Sequence, residues 1–168
     1  MGLLDLNAIR ESVQTILEGQ NTTGASFHDL SSNMSTRVQH IYKMNPSKIT
    51  PQASKFPCVC IYSAGKNITP DTIAKDQVTA KRNGIYTMHI TGLVFNANMS
   101  SFDEDPADED AERLLENIEY ILRNYPTFDG ASNVRWQVPT DSVFFDTVLE
   151  ETTHLRAGVL TYQVNLRY

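Results

Sequence analysis

The sequence predicts an α+β fold, a mostly antiparallel β-sheet with two helices packed on one of its sides. Two segments repeat apolar residues at intervals of three and four, the mark of an amphipathic helix. Other segments are rich in alternating apolar, β-branched and aromatic residues, as strands are. Their order along the chain is helix, three strands, helix, three strands (α-β-β-β-α-β-β-β), and strands grouped in runs favour antiparallel pairing over a parallel α/β sheet.

The first helix is expected from about Asp5 to Glu18, where Leu6, Ile9, Val13, Ile16 and Leu17 form one stripe. Asp5 can cap its start and Gly19 stops it. From Gln20 to Thr36 the chain turns to Asn, Thr, Gly and Ser, anchored only by Phe27, Leu30 and Met34, and is expected to be a long polar connection. Arg37 to Lys43 reads as a strand with Val38, His40 and Tyr42 on one face, ended by Met44-Asn45-Pro46. Pro57 to Ser63 is a second strand, apolar throughout its centre and so covered on both faces.

The polar stretch from Ala64 to Asn83 holds Lys66, Lys75, Lys81 and Arg82 against Asp71 and Asp76. With few residues able to enter a core, it is expected to be an exposed arm or long hairpin loop. Gly84 to Phe95 is the third strand, with Ile85, Leu93 and Phe95 facing away from Met88, Ile90 and Val94. The second helix has Asp105 as cap and Pro106 in the first turn, where the missing N–H costs nothing. Ala107, Ala111, Leu114, Leu115, Ile118, Ile121, Leu122 and Tyr125 make its apolar stripe, and Tyr125-Pro126 ends it near Asn124. Glu109 precedes Arg113, and Glu119 precedes Arg123, by one helical repeat on the wet face. The remaining strands are expected at Val134 to Val138, Asp141 to about Glu150 and about Arg156 to Tyr168. The last carries Leu160, Tyr162, Val164, Leu166 and Tyr168 on one side.

The length of 168 residues, with 40% hydrophobic and 20% charged, is that of a single domain spanning residues 1–168. Such a chain buries roughly 70% of the surface its unfolded form exposes and needs no disulfide staple. Lys and Arg number 14 and Asp and Glu 20, a net charge of −6, the wrong sign for a protein that coats a phosphate backbone. No apolar stretch approaches the roughly 20 residues that span a bilayer, and the start lacks the pattern of a secretory signal, so a soluble protein made in the cytosol, with no membrane partner, is expected. Cys58 and Cys60 share one face of a strand, where neighbours sit about 7 Å apart along the chain, and read as buried apolar residues.

Little in the sequence points to catalysis. His28, His40, His89 and His154 lie in four separate segments, none within a nucleophile or metal signature, and there is no phosphate-binding glycine loop. No catalytic residue, metal ligand or cofactor is therefore assigned. The densest local chemistry is the run Asp103, Glu104, Asp105, Pro106, Ala107, Asp108, Glu109, Asp110. It fails as a calcium loop, because Asp108 stands where the glycine is needed and Leu114 where the bidentate Glu is needed. Carboxylates at a helix start are stabilised by the helix dipole; beyond that, they form an acidic rim able to repel DNA or pair with a basic partner surface. The arm from Lys66 to Arg82 is long enough to suggest a segment that orders on a partner.

The order and texture of these elements resemble tail terminator proteins of long-tailed bacteriophages. The resemblance is carried by the amphipathic first helix, the short strand ending in Lys43-Met44-Asn45-Pro46, and the strand entered as Phe56-Pro57-Cys58-Val59-Cys60-Ile61-Tyr62. To these are added the acid-capped helix and the closing strand Arg156-Ala157-Gly158-Val159-Leu160-Thr161-Tyr162-Gln163-Val164. It covers most of the chain, without an invariant motif, and the two long polar segments depart from compact members. The resemblance implies a homohexameric ring that sits on the last ring of the tail tube protein, halts its polymerisation and joins a head-neck connector or stopper protein, with DNA sliding through the lumen. The expected contact elements are Lys66, Lys75, Lys81 and Arg82 on the arm, Asp103, Glu104, Asp105, Asp108, Glu109 and Asp110 on the rim, and the loop from Glu150 to His154. Another neck component, a head completion or stopper protein, shares these traits. A small enzyme or ligand-binding module with a pocket built from dispersed residues is the reading from a different class.

Overall fold

The computed structural model describes residues 5–21, 28–50, 52–70, 82–96, 106–129, 134–150 and 153–167. Helix α1 runs Leu6–Gly19, strand β1 His40–Tyr42, β2 Cys58–Pro70, β3 Arg82–Asn96, helix α2 Pro106–Arg123, β4 Val134–Glu150 and β5 Thr153–Arg167. Short 3₁₀ turns at Pro46–Lys48 and Ala53–Lys55 lie between β1 and β2. The strands form one sheet in the order β1-β2-β3-β5-β4. β1 pairs with β2 in parallel, and the other three pairings are antiparallel. The α+β class and the mostly antiparallel sheet are as expected.

Both helices cover the same side of the sheet, α1 over β1 and β2 and α2 over β3 and β5. Asp5 caps α1 as expected, its carboxylate accepting from the backbone N–H of Asn7 at 2.9 Å and of Ala8 at 3.1 Å. Ile9, Val13, Ile16 and Leu17 from α1 and Leu114, Leu115, Ile118 and Leu122 from α2 bury against Val59 and Ile61 of β2, Tyr86, Met88 and Ile90 of β3, and Leu160, Tyr162 and Val164 of β5. The alternation in the last strand thus meets the core on the face that its apolar residues mark. The cap expected at Asp105 lies outside the described residues, as does Ala107's side chain.

α2 seats closely because two glycines face each other across the ladder: Gly92 of β3 is the direct partner of Gly158 of β5. A Cβ on Gly92 would stand 2.8 Å from Leu114 Cδ2, and one on Gly158 2.6 Å from Leu115 Cδ1 and 2.9 Å from Phe144 Cε1. The missing side chains form a dimple that receives two adjacent leucines of the helix.

Several expected boundaries shift, for physical reasons. β2 and β3 do not stop near Ser63 and Gly84; their ladder continues to Pro70↔Arg82, past a bulge between Ser63 and Gly65. The start and end of the expected arm are therefore strand. Its polar residues gave no alternation because, from Ser63 to Ile68, β2 is exposed. The stretches expected as separate strands at Val134 to Val138 and Asp141 to Glu150 run together in β4, with the ladder shifting between Pro139 and Asp141. β4 is an edge strand, where Pro can stand without breaking a ladder. β1 is shorter than expected: Val38 lies before it and joins the helix-side core, whereas Tyr42 packs on the opposite face.

The expected polar connection at residues 20–36 is tied to α2. Asn117, 5% exposed, donates from Nδ2 to the carbonyls of Leu30 and Ser32, each at 2.9 Å. His28 Nε2 meets its Oδ1 at 2.6 Å, and Arg113 donates to the carbonyl of Asn33. Residues 22–27 of that connection lie outside the described ones.

Candidate assembly surfaces

Among the described residues, the second face of the sheet is covered at one end. Phe56, Cys58, Cys60, Leu93 and Ala157 form a small second core, with Tyr42, Ile49, Phe95 and Leu155 packed on it. The Phe56 and Phe95 rings stack at 5.6 Å. Both cysteines are buried and free, as expected. A hydrogen bond to Cys60, with burial added, pushes the Cys58 thiol well up, so it is held as an inert thiol.

Beyond that cover the described residues of this face are half-buried or exposed. The ladder places Trp136, Asn165, Ile85 and Asn67 in one row, Val138, Gln163, Thr87 and Gly65 in the next, and Asp141, Thr161, His89 and Tyr62 in a third. Trp136 is 47% exposed, Ile85 40%, Val138 38% and, one row further on, Val143 51%. Apolar residues at this spacing among polar ones make a mixed surface rather than a core. His89 contacts the Tyr62 hydroxyl at 3.3 Å with its ring edge-on, and His40 packs beside Tyr42 at 5.4 Å.

The long axis of the sheet has two different ends. β3 runs from Arg82 to Asn96, roughly 45 Å at about 3.3 Å per residue. At one end lie Pro70 and Arg82, the last pair of the β2–β3 ladder; Lys66 stands exposed nearby. At the other, Glu150 pairs with Thr153 to close the β4–β5 hairpin, and Asn96 pairs with His154. The N-terminal turn of α2 lies at this second end, because Asp108 forms an ion pair at 3.0 Å with Arg156, the partner of Val94. Arg156 also lies 5.5 Å over the Phe144 ring.

Of the expected contact residues, Lys66 and Arg82 therefore stand at one end and Asp108, Glu109 and Asp110 at the other. Lys75, Lys81, Asp103, Glu104 and Asp105 lie outside the described residues. The three described acids differ in use. Asp110 is 5% exposed and accepts from the Ser35 backbone N–H at 2.8 Å, so it secures the polar connection to α2. Asp108 and Glu109 are exposed, Glu109 being paired with Arg113 one turn on. Sequence reasoning did not find the opposition of the two ends, since it follows from strand register. Among the described residues, no group of three or more His, Cys, Asp or Glu is placed to hold a metal ion, and no helix is long and apolar enough to cross a membrane.

Two concavities flank α2. One, of about 500 Å³, lies along His28, Asn33, Arg113, Asn117 and Tyr120, where the Asn117 amide is fully engaged. The other, of about 280 Å³, lies between the end of α2 and β4 and includes Tyr162 and Gln137.

No family model matches the chain, and no curated protein matches it. Among solved structures, one described as the virion of a native gene transfer agent particle is similar over 96% of this chain and 98% of that one, at 12% identity and a TM-score of 0.36. A superposition at that level defines neither kinship nor role. The fold itself is a two-layer α+β arrangement with both helices on one sheet face and, among the described residues, the other face largely exposed.

Proposed function

We propose that the chain is a structural virion protein, a tail terminator that forms a hexameric ring, caps the tail tube, stops its polymerisation and joins the tail to the head-neck connector. The observation that carries this reading is the resemblance in the sequence, set beside charge runs that the strand register separates toward opposite ends of the sheet. The chain from Lys66 to Arg82 has four basic residues against two acidic ones, and its strands define one end. The opposite end holds Asp108 and Glu109, with Asp103, Glu104 and Asp105 preceding them in sequence. A subunit with a basic end and an acidic end can join copies of itself head to tail, the heterologous contact that closes a ring. The net charge of −6 suits a conduit that DNA passes without sticking. Such a subunit works by shape and contact, is made in the host cytoplasm and is carried in the virion.

The test is functional capping. Added to tail tube protein during polymerisation, the protein is expected to bind one tube end and shorten the length distribution seen by negative-stain imaging. Tubes that elongate unchanged, with no ring at either end, contradict the reading.

A further inference from the structure

The two edges of the sheet meet their surroundings differently. β4 is blunted: its ladder shifts at three places, Pro139 has no N–H, and the Gln137 N–H donates to the Pro126 carbonyl at 3.1 Å. β2 is not. β1 covers it at Cys58, Val59 and Cys60, with the Gln39 N–H donating to the Pro57 carbonyl at 2.8 Å just before. Over residues 62–70 β2 pairs with β3 on one side, and among the described residues no backbone group bonds it on the other. Residues 63–68 are all exposed, Ile68 at 40%. A long edge with open N–H and C=O groups is a template for one more strand.

The charge of this edge selects what it takes. β2 and β3 hold Lys66 and Arg82 and no Asp or Glu. Two such edges repel, so β2 does not suit β2 of another copy. The complementary stretch is residues 97–105, outside the described ones, with three acids and no base; its nine residues match the nine of 62–70. It does not reach the edge of its own copy. The residues that bound it are held at the far end of the sheet, where Asn96 pairs with His154 and Asp108 with Arg156. Tyr62 sits opposite His89, and from His89 to Asn96 is roughly 23 Å along β3. A stretch of this length tethered at both ends reaches out and back by only about 17 Å.

We propose that the free edge of β2, residues 62–70, receives residues 97–105 of a second copy of this chain as an added antiparallel strand, with Glu104 across from Lys66. This rests on the head-to-tail reading above and supplies its contact. In that register Phe102 falls across from Ile68, so an ion pair and an apolar pair stand side by side on one face.

The experiment mixes two variants of the full chain, Ile68→Cys and Phe102→Cys, under mild oxidation and separates the products without reductant. Cys58 and Cys60 are buried and stay out of the reaction. A disulfide-linked dimer is expected from the mixture and not from either variant alone. Lys66→Glu added to the Ile68→Cys chain is expected to abolish the band, and Glu104→Lys added to the Phe102→Cys chain to restore it. The mass of the parent chain is measured alongside by light scattering. No mixed dimer from natively folded variants, or a band indifferent to Lys66→Glu, overturns the strand addition; if the parent is then hexameric, the ring stands and closes through other contacts. A mixed dimer with charge rescue, from a parent that forms no ring, upholds the edge and contradicts the ring.

Discussion

On the face beneath α2, the sheet is shaped residue by residue to its partner: Gly92 and Gly158 make room for Leu114 and Leu115, and apolar side chains alternate inward along β3 and β5. The opposite face, made of the same strands, mixes Trp136, Val138, Ile85 and Val143 with Thr, Gln, Asn and His and keeps four of those apolar groups substantially exposed. The difference separates stability from association. Changes on the first face should act on the folded subunit, whereas changes on the second should act on what the subunit meets.

The largest effect is expected from Leu114→Ala. Leu114 is fully buried over Gly92, and its loss should cost about 2–5 kcal/mol, read as a lower midpoint in urea unfolding. Gly158→Ala comes next, at about 1–3 kcal/mol, because the added methyl meets both Leu115 and Phe144 and α2 must shift to admit it. A Gly158→Ala variant as stable as the parent would show that the dimple does not govern the seating of the helix.

The same face makes a prediction about pH. Burial raises the Tyr162 phenol above its ordinary 10.0, and it raises Tyr86 in the same direction, partly offset by the hydrogen bond between Tyr86 and Ser63. The folded chain therefore holds these protons more tightly than the unfolded chain. Their contribution is fully present below pH 10.0 and is lost as pH rises toward the folded values. Unfolding midpoints should fall on alkaline titration above that point, and less steeply in Tyr162→Phe. On the open face, Val143→Ser should change subunit unfolding by no more than about 0.5 kcal/mol, since Val143 is half exposed; a fall of several kcal/mol would mean that this face is part of the core.

How far this contrast could be read beforehand depends on which residues report on burial. Leu114, Leu115, Ile118 and Leu122 recur at helical spacing, and Leu160, Tyr162, Val164 and Leu166 alternate, because each set has a wet side and a dry side. The extension of β2 past Ser63 was silent for the opposite reason: that part of the ladder is held by strand pairing, with residues 63–68 exposed and no burial to print a period on the sequence. Pro139 and Asp141 look like a turn, and only the edge position of β4 lets the strand run through them. The candidate surfaces were legible as charge runs but not as places. That Lys66 and Asp108 stand at opposite ends, that Gly92 faces Gly158, and that Gln137 and Tyr162 share a pocket all depend on register and on the position of α2 along β5. A single sequence does not encode these in any local pattern.

The opposition of basic and acidic ends is tested most directly by the mass of the purified chain in solution, measured by light scattering after size exclusion with and without millimolar magnesium. Hexamers of the 18.9 kDa subunit, shifted toward smaller species by Lys66→Glu, are the predicted result. A strict monomer under every condition, or a hexamer indifferent to charge at either end, would contradict it.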